Sequence, residues 1–265
     1  MGRLRIFAKG NLDVRDTLHS LRVGGAVHWN GINEIVRARF PDAVVQVMHE
    51  TWTRSDALLA STGAVPAELA ARALPLGAYP AAAQFSVAVF ETRADAILLS
   101  VQPDVATRLA RHKRDGWLFF PSERPSWPDE DRRWLRDEFT PMDLLDVEAS
   151  MRNFDEIVAR IRKHTTVPIL VFNLSAVVPG DTVHCHQGLG DTLSTRIRRF
   201  NVGVAELSQR TGVSVIDVDA VLARAGAARA KMDALHLTAE GCRCVAEETV
   251  RVLEDLGCFA GKAAH

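Results

Sequence analysis

An aspartate and a histidine three residues apart, Asp233 and His236, form the strongest chemical motif of this 265-residue chain. They follow a predicted strand and a loop, and they precede a segment whose apolar residues have helical spacing. On a turn that enters a helix, the carboxylate can hydrogen-bond to the imidazole and orient it as a general base. A histidine at such a position can also serve only as a helix cap or a core hydrogen-bonding group.

Short apolar runs alternate with helical patterns along the chain. The runs predict five strands, at 4–8, 43–48, 96–101, 167–172 and 213–218. Helices are predicted around 30–39, 64–74, 150–164 and 191–211, and a last helix should bury Cys242, Val245, Ala246, Val250 and Leu253. This alternation predicts an α/β fold with a mostly parallel sheet covered on both faces. Sites in such folds gather beyond the carboxyl ends of the strands.

The segment Asp233-Ala-Leu-His236 resembles the last conserved block of the SGNH/GDSL hydrolases, whose Asp and His complete a Ser-His-Asp triad. The resemblance spans nearly the whole chain in its order of elements. It implies a single domain over 1–265, a three-layer α/β/α flavodoxin-like sandwich with a mostly parallel five-stranded sheet. It also implies hydrolysis or acyl transfer at an ester, amide or related carbonyl of a small molecule, the latter in a biosynthetic setting.

The first block of that family is Gly-Asp-Ser, in which the serine is the nucleophile. This chain has Gly10, Asn11, Leu12 and Asp13 after its first predicted strand, so a leucine stands where the serine belongs. Ser20, the next serine, lies too far along to occupy the same corner. The resemblance therefore predicts a divergent member without the usual serine, in which Asp13, a water molecule or the substrate itself takes its place.

Asp13 has three interpretations at this corner: a covalent nucleophile, a general base, or simply a helix N-cap. Asn11, Asp16 and His19 make the same corner unusually polar, and Asp16 and His19 would share one helix face. A substrate or an activated water could use these groups together with His236. We accordingly predict catalytic roles for His236, Asp233 and Asp13, and a substrate-binding role for Asn11.

The second and third family blocks have also diverged. The family glycine after the second strand is missing, and Arg54 follows that strand instead; it could bind a carboxylate or phosphate, or pair with Asp56 or Glu50. The Gly-x-Asn-Asp block after the third strand is replaced by a segment with Ser100 and Gln102, whose side-chain amide could donate to an oxyanion. Arg54, Ser100 and Gln102 are therefore predicted to bind substrate.

A loop after the fourth strand contains His184, Cys185 and His186. This pattern allows metal ligation, a reactive thiolate, or a polar substrate-binding loop, and we predict the last role for His184. No recognised metal-spacing motif is present, so no metal and no cofactor are expected. Segment 105–150, with Trp117, Trp127 and Trp134, is predicted either as an insertion or lid, or as a surface helix whose tryptophans pack on the body.

The bulk composition limits the partners and the compartment. The net charge of −1 gives no general attraction to nucleic acid or to anionic membranes, and no apolar run is long enough for a membrane span. The four cysteines form no disulfide framework, and the short apolar N-terminus indicates a first strand rather than a signal peptide. The chain is therefore expected to be cytoplasmic and to act on a small molecule, and its oligomeric state stays open.

Three alternatives remain at this level. Ordinary serine catalysis would return if Ser20 or Ser55 lay beside His236. The chain could be a catalytically degenerate binding protein that kept the fold for recognition. It could also be a metal-dependent enzyme that uses His184 and His186.

Overall fold

The strands form a five-stranded sheet, a hairpin and a three-stranded sheet. The computed structural model describes residues 2–177, 179 and 192–260. In that part of the chain the strands are β1 (Gly2–Lys9), β2 (Leu21–Val23), β3 (Ala26–Trp29), β4 (Ala43–Glu50), β5 (Ala96–Ser100), β6 (Ala110–His112), β7 (Leu118–Phe119), β8 (Phe139–Pro141), β9 (Ile169–Phe172) and β10 (Ser214–Ile216).

Helices lie between most of these strands, although β2 and β3, and likewise β6 and β7, follow one another directly. Over the same residues the helices are α1 (Leu12–Leu18), α2 (Asn33–Arg39), α3 (Ser55–Ala60), α4 (Ala67–Ala70), α5 (Ala81–Gln84), α6 (Gln102–Ala106), α7 (Asp129–Glu138), α8 (Val147–Arg162), α9 (Leu193–Thr211), α10 (Val218–Ala225), α11 (Ala227–Ala230) and α12 (Ala239–Asp255). The helix predicted around 64–74 is shorter in the structure, where α4 begins after Pro66 and ends at Ala70.

The main sheet has the strand order β10-β9-β5-β1-β4, and β1 with β5, β5 with β9 and β9 with β10 pair in parallel. The predicted α/β fold with a mostly parallel five-stranded sheet is therefore confirmed. The fifth strand ends earlier than predicted, at Ile216. Asp217 then accepts a hydrogen bond from the Ala220 N–H and begins α10, so two short helices occupy the expected loop before Asp233.

The chain divides into two compact units. Unit 1 comprises Met1–His49, Arg93–Gln102 and Thr166–His265, and unit 2 comprises Glu50–Thr92 and Pro103–Thr165. The core of unit 1 joins the main sheet to α1, α2, α10 and α12. The apolar face predicted for the last helix is confirmed, since the five residues named for it are fully buried: Cys242, Val245, Ala246, Val250 and Leu253.

Unit 2 contains the antiparallel sheet β7-β6-β8 and a separate aromatic core. Trp127, Trp134, Phe119 and Phe139 are buried in that core, and the Trp134 and Phe139 rings meet edge to face at 4.9 Å. Segment 105–150 forms this core together with residues of 50–92. Its role as an insertion or lid stays a prediction.

None of the helices in the described ranges combines the length and the apolar character that a membrane crossing needs.

Candidate active site

The Asp233–His236 turn has a carboxylate that holds both the backbone and the ring of the histidine. Asp233 Oδ1 accepts hydrogen bonds of 2.8 Å from the backbone N–H groups of Leu235 and His236. Its Oδ2 lies 2.7 Å from Nδ1 of His236. With Nδ1 bound to the carboxylate, the ring presents Nε2 as its proton acceptor. The His236 side chain is 39% exposed, so a ligand can reach it.

The charge of Asp233 is well stabilised in this turn. Partial desolvation opposes ionisation, but the hydrogen bonds from the Leu235 N–H, the His236 ring and the His236 N–H outweigh it and lower the pKa of Asp233 to about 2. The carboxylate is therefore ionised over the whole range in which an imidazole titrates. It can stabilise a protonated His236 during a proton transfer.

The start of α12 is pressed against the residues before the turn. Thr238 caps the helix by accepting a hydrogen bond from the Gly241 N–H, and its own N–H donates to the carbonyl of Ala230. A Cβ atom at Gly241 would lie 2.1 Å from that carbonyl oxygen. Only a glycine allows this approach, so Gly241 fixes where α12 begins relative to the turn.

The corner after β1 is closely packed as well. A Cβ atom at Gly10 would lie 2.6 Å from Cγ2 of Val14 and 3.1 Å from Cβ of Ser100. Asn11 occupies the N-cap position of α1 without a side-chain cap hydrogen bond, and its buried Oδ1 has no partner among the described residues. The N-cap role considered for Asp13 is therefore wrong, because Asp13 lies inside the first turn of α1.

Asp13 is a buried carboxyl group in the first turn of α1, and it contacts the end of the central strand, β5. Ser100, the last residue of β5, donates a hydrogen bond of 2.5 Å to Asp13 Oδ2. Oδ1 has no hydrogen-bond partner in the described part of the chain. Burial raises the pKa of Asp13 to about 6, although the Ser100 hydroxyl and the nearby N–H groups of Val14 and Asn11 act in the opposite direction. Its charge can therefore change near neutral pH.

A small pocket connects Asp13 with the histidine turn. Its lining includes Asp13, Asn173, Lys231, Ala234 and Leu235, of which the last two separate Asp233 from His236. Its volume of about 10 Å³ is close to the space that one water molecule requires. The corner after β1 and the turn before α12 thus border one small space within unit 1, which is lined mostly by apolar side chains with Asp13, Asn173 and Lys231 among them.

Lys231 is a member of this pocket that the sequence did not reveal. Its Nζ donates to the carbonyls of Ser175 and Val177, and the residue is 5% exposed. Burial lowers the pKa of Lys231 to about 8, while Asp219 and Asp233 act in the opposite direction. Lys231 lies two residues before Asp233, but nothing in the sequence predicts that its side chain is buried in this pocket.

A second, wider pocket of unit 1 lies beside the same corner. It has a volume of about 580 Å³, and its lining includes Asp16, His19, Arg22 and His49. His49 Nε2 lies 3.0 Å from the carbonyl oxygen of Gly10, and the His19 and His49 rings meet edge to face at 5.9 Å. Desolvation lowers the pKa of His49 to about 4, so His49 is neutral and donates its Nε2–H to Gly10. Asp16 is paired with Arg15.

Arg54 does not have the substrate-binding role that its position suggested. It is 1% exposed, and its guanidinium binds both carboxylate oxygens of Asp56, the carbonyls of Thr107 and Asp143, and the sulfur of Met142. These contacts within unit 2 use all five of its N–H donors. The pairing with Asp56 is therefore structural, and the predicted role fails because no donor is left for a ligand.

The other polar residues that the sequence singled out are mostly buried. Ser100 is fully buried, and its hydroxyl accepts a hydrogen bond from the Gln102 N–H as well as donating to Asp13, so it positions Asp13 rather than facing a ligand. Gln102 is 5% exposed. Ser55 is fully buried in unit 2, where its hydroxyl donates to Asp104, and Ser20 lines the wider pocket beside His19.

His184, Cys185 and His186 lie outside the described residues, so the prediction for that loop stays a prediction. In the ranges that the structure describes, His, Cys, Asp and Glu side chains form no group of three or more that could hold a metal ion.

The sequence of this chain matches one family of known proteins. A model of the GDSL-like lipase/acylhydrolase family matches residues 24–244, and the chain belongs to this family. The matched range includes Ser100, Asp233 and His236 and begins after the corner formed by Gly10 and Asp13. No curated protein sequence matches the chain.

Solved structures are similar over almost the entire chain. An α/β hydrolase enzyme, LAE5, from the metagenome of Lake Arreo is 16% identical with a TM-score of 0.52, over 98% of this chain and 97% of that one. The acetyl xylan esterase AlAXEase is 10% identical with a TM-score of 0.52, over 94% and 100%. A variant of an acetyl-xylooligosaccharide esterase from Geobacillus stearothermophilus is 12% identical with a TM-score of 0.51, over 94% and 93%. These likenesses establish the fold of the SGNH hydrolases.

Proposed function

We propose that the protein hydrolyses an ester, or a related carbonyl compound, of a small molecule, with His236 as the general base. The observation that carries this proposal is the 2.7 Å contact between Asp233 Oδ2 and His236 Nδ1, which leaves Nε2 free to accept a proton. Membership of the GDSL-like lipase/acylhydrolase family supports the reaction class. Acyl transfer follows the same scheme when a substrate hydroxyl replaces water.

Asp13 acts in this proposal on the attacking group instead of replacing the serine as a covalent nucleophile. The pocket that it shares with Leu235 has room for about one water molecule and not for an acyl group. Its Oδ1 lacks a protein partner among the described residues and can accept a hydrogen bond from that water. An ionised Asp13 therefore holds this water beside the histidine turn, and the held water orients the group that attacks the acyl carbon, whose proton His236 removes.

The proposed hydrolysis needs only the substrate, a water molecule and the Asp233–His236 pair. Water attacks the acyl carbon as its proton passes to His236 Nε2, and Asp233 stabilises the imidazolium. The tetrahedral intermediate then breaks its bond to the alkoxy oxygen, and His236 returns the proton to that leaving group. The products are a carboxylic acid and an alcohol. In acyl transfer, a substrate hydroxyl loses the proton in the first step and a new ester forms.

The test is hydrolysis of a panel of short- and long-chain activated esters by the wild type, His236→Ala and His164→Ala. His164 is an exposed histidine just beyond α8 and serves as the matched control. Replacing a general base is expected to lower kcat by roughly 10²- to 10⁴-fold. The proposal requires that loss for His236→Ala, with an unchanged Tm and with normal rates for His164→Ala. Equal turnover by all three proteins would overturn it and favour a binding protein that kept the fold.

A further inference from the structure

A pocket in unit 2 is lined by none of the residues assigned to catalysis. Its volume is about 890 Å³, and all the residues that line it belong to segment 108–143. Small-molecule sites in proteins have volumes of about 300–1,000 Å³. The segment is the tryptophan-rich one whose function the sequence left open.

The floor of this pocket is apolar. Leu109, Leu135 and Phe139 line it and are at most 6% exposed, and Phe120 and Met142 add further apolar surface. These side chains come from several elements, including α7 and the first residue of β8. A ligand with an apolar body would therefore remove hydrocarbon surface from water on both partners.

Helix α7 adds positive charge beside that floor. Arg132, Leu135, Arg136 and Phe139 recur three and four residues apart, so one face of the helix and its end supply both arginine and apolar groups to the pocket. Arg133, which lies between two of them in sequence, is exposed and does not line the pocket. The pattern is thus specific to one face of α7.

The charges around the pocket do not cancel. Arg108, Arg124, Arg132 and Arg136 line it with Glu123 and Asp143, and Asp129 contacts Arg132 from outside the lining, so four positive charges and three negative ones leave an excess of one positive charge. Arg108 pairs with Asp143 at 3.2 Å, and Arg132 pairs with Asp129. In the described ranges, Arg124 and Arg136 form no ion pair. Their guanidinium groups are available to bind an anion.

One residue that lines the pocket has an unusual backbone conformation. Glu123, one of the two lining carboxylates, is the only non-glycine residue with a positive φ in the described chain, at 53°. Its side chain lies against Gly77, where a Cβ atom would come within 1.9 Å of Glu123 Oε1. The lack of a side chain at Gly77 therefore leaves room for the end of the Glu123 side chain.

We propose that this pocket binds a small amphiphilic anion. The apolar body of the ligand rests on Leu135, Phe139 and Phe120, and its carboxylate or phosphate group is held by Arg124 and Arg136. Arginine suits both head groups because its planar fork can donate two parallel hydrogen bonds. The proposal is independent of the catalytic one, since it uses no residue of the Asp233–His236 turn.

The experiment measures binding calorimetrically with four probes that share one alkyl chain: octanoate, octyl phosphate, 1-octanol and octylammonium. The two anions are expected to bind and the other two are not, and the tighter anion identifies the head group. The double variant Arg124→Ala/Arg136→Ala should weaken anion binding about fivefold, as expected for two partly exposed ion pairs. Arg133→Ala, on the same helix, should leave the Kd unchanged.

Three results would overturn the proposal: no binding of either anion, equal affinity for 1-octanol, or an unchanged Kd in the double variant. All substituted arginines are at the surface, and Tm measurements verify that each variant is folded. Repeating the titration with His236→Ala separates the two proposals, because anion binding should persist there even if the ester panel gives no turnover.

Discussion

The Ser100 hydroxyl donates a 2.5 Å hydrogen bond to Asp13 Oδ2 and so joins the carboxyl end of β5 to the first turn of α1, 87 positions away in the sequence. The same hydroxyl accepts a hydrogen bond from the Gln102 N–H, which fixes its direction. Asp13 Oδ2 is therefore held by this hydroxyl, whereas Oδ1 has no hydrogen-bond partner among the described residues. This contact opposes the effect of burial, which still raises the pKa of Asp13 to about 6.

Ser100→Ala should move the protonation of Asp13 to higher pH. The hydroxyl stabilises the ionised carboxylate, so its loss raises the pKa of Asp13 further above the present value of about 6. A hydrogen bond to a charged group is worth about 1.5–3 kcal/mol, which corresponds to an upward shift of the acid limb of kcat/KM by about one pH unit or more. The measurement is the pH profile of ester hydrolysis.

The control for this profile is Ser208→Ala, which removes a hydroxyl that donates to the Val213 carbonyl elsewhere in unit 1. It should leave the profile in place. An unshifted acid limb in Ser100→Ala would mean that the ionisation of Asp13 does not govern turnover.

Asp13→Asn should stabilise the protein at pH 8 while lowering its activity. The folded state raises the pKa of Asp13 from 3.8 to about 6, so between these values the native protein holds a proton that the unfolded chain has lost. Stability from this group is therefore complete below pH 3.8 and falls as pH rises to about 6. The neutral amide avoids that loss, which amounts to about 1–3 kcal/mol.

Urea unfolding at pH 4 and pH 8 measures this effect. The variant and the wild type should be closely similar at pH 4 and differ at pH 8. Asp16→Asn is the matched control on the same helix, because its carboxylate is paired with Arg15. A gain at pH 8 in Asp16→Asn, or none in Asp13→Asn, would contradict the assignment of the buried charge.

Asp233→Asn should lower kcat by about 10²- to 10⁴-fold with little change in KM, because the amide cannot stabilise the imidazolium and can select the wrong tautomer. The pKa of Asp233 is about 2, so Asp233 does not itself titrate between pH 5 and pH 9 and a loss should be present throughout that range. Glu240→Gln, an exposed carboxylate in the first turn of α12, supplies the control. A loss that disappears at the low end of this range would mean that Asp233 is protonated there, contrary to its low pKa.

Local patterns in the sequence predicted much of this architecture. Apolar runs gave all five strands of the main sheet to within a few residues, and helical spacing gave the buried face of α12. Both are periodic signals, which depend on the nearest neighbours along the chain. The hairpin of β2 and β3 was missed, because its strands are short and largely exposed and have no alternation to detect.

The candidate site was harder to predict, because most of its contacts join residues that are distant in sequence. The Asp233–His236 contact is local, and its spacing was enough to predict the geometry. The contact between Ser100 and Asp13 depends on the register of β1 against β5, which pairs Lys9 with Leu99. The burial of Lys231 depends on loop carbonyls far away in sequence. The contacts of Arg54 could not be predicted either, because its partners at Thr107 and Asp143 lie 53 and 89 residues away in sequence.

Gly241→Ala should damage activity and stability together. The new Cβ atom would lie 2.1 Å from the Ala230 carbonyl oxygen, which is backbone and cannot rotate away. Either α12 or the chain at Ala230 has to move, and both flank the turn that carries His236. Overpacking of this kind costs about 1–3 kcal/mol. Glu247→Ala, on the exposed face of the same helix, should change neither quantity. The Tm and kcat of the two variants measure the effect, and a lower Tm with normal kcat would show that the histidine turn tolerates a shift of α12.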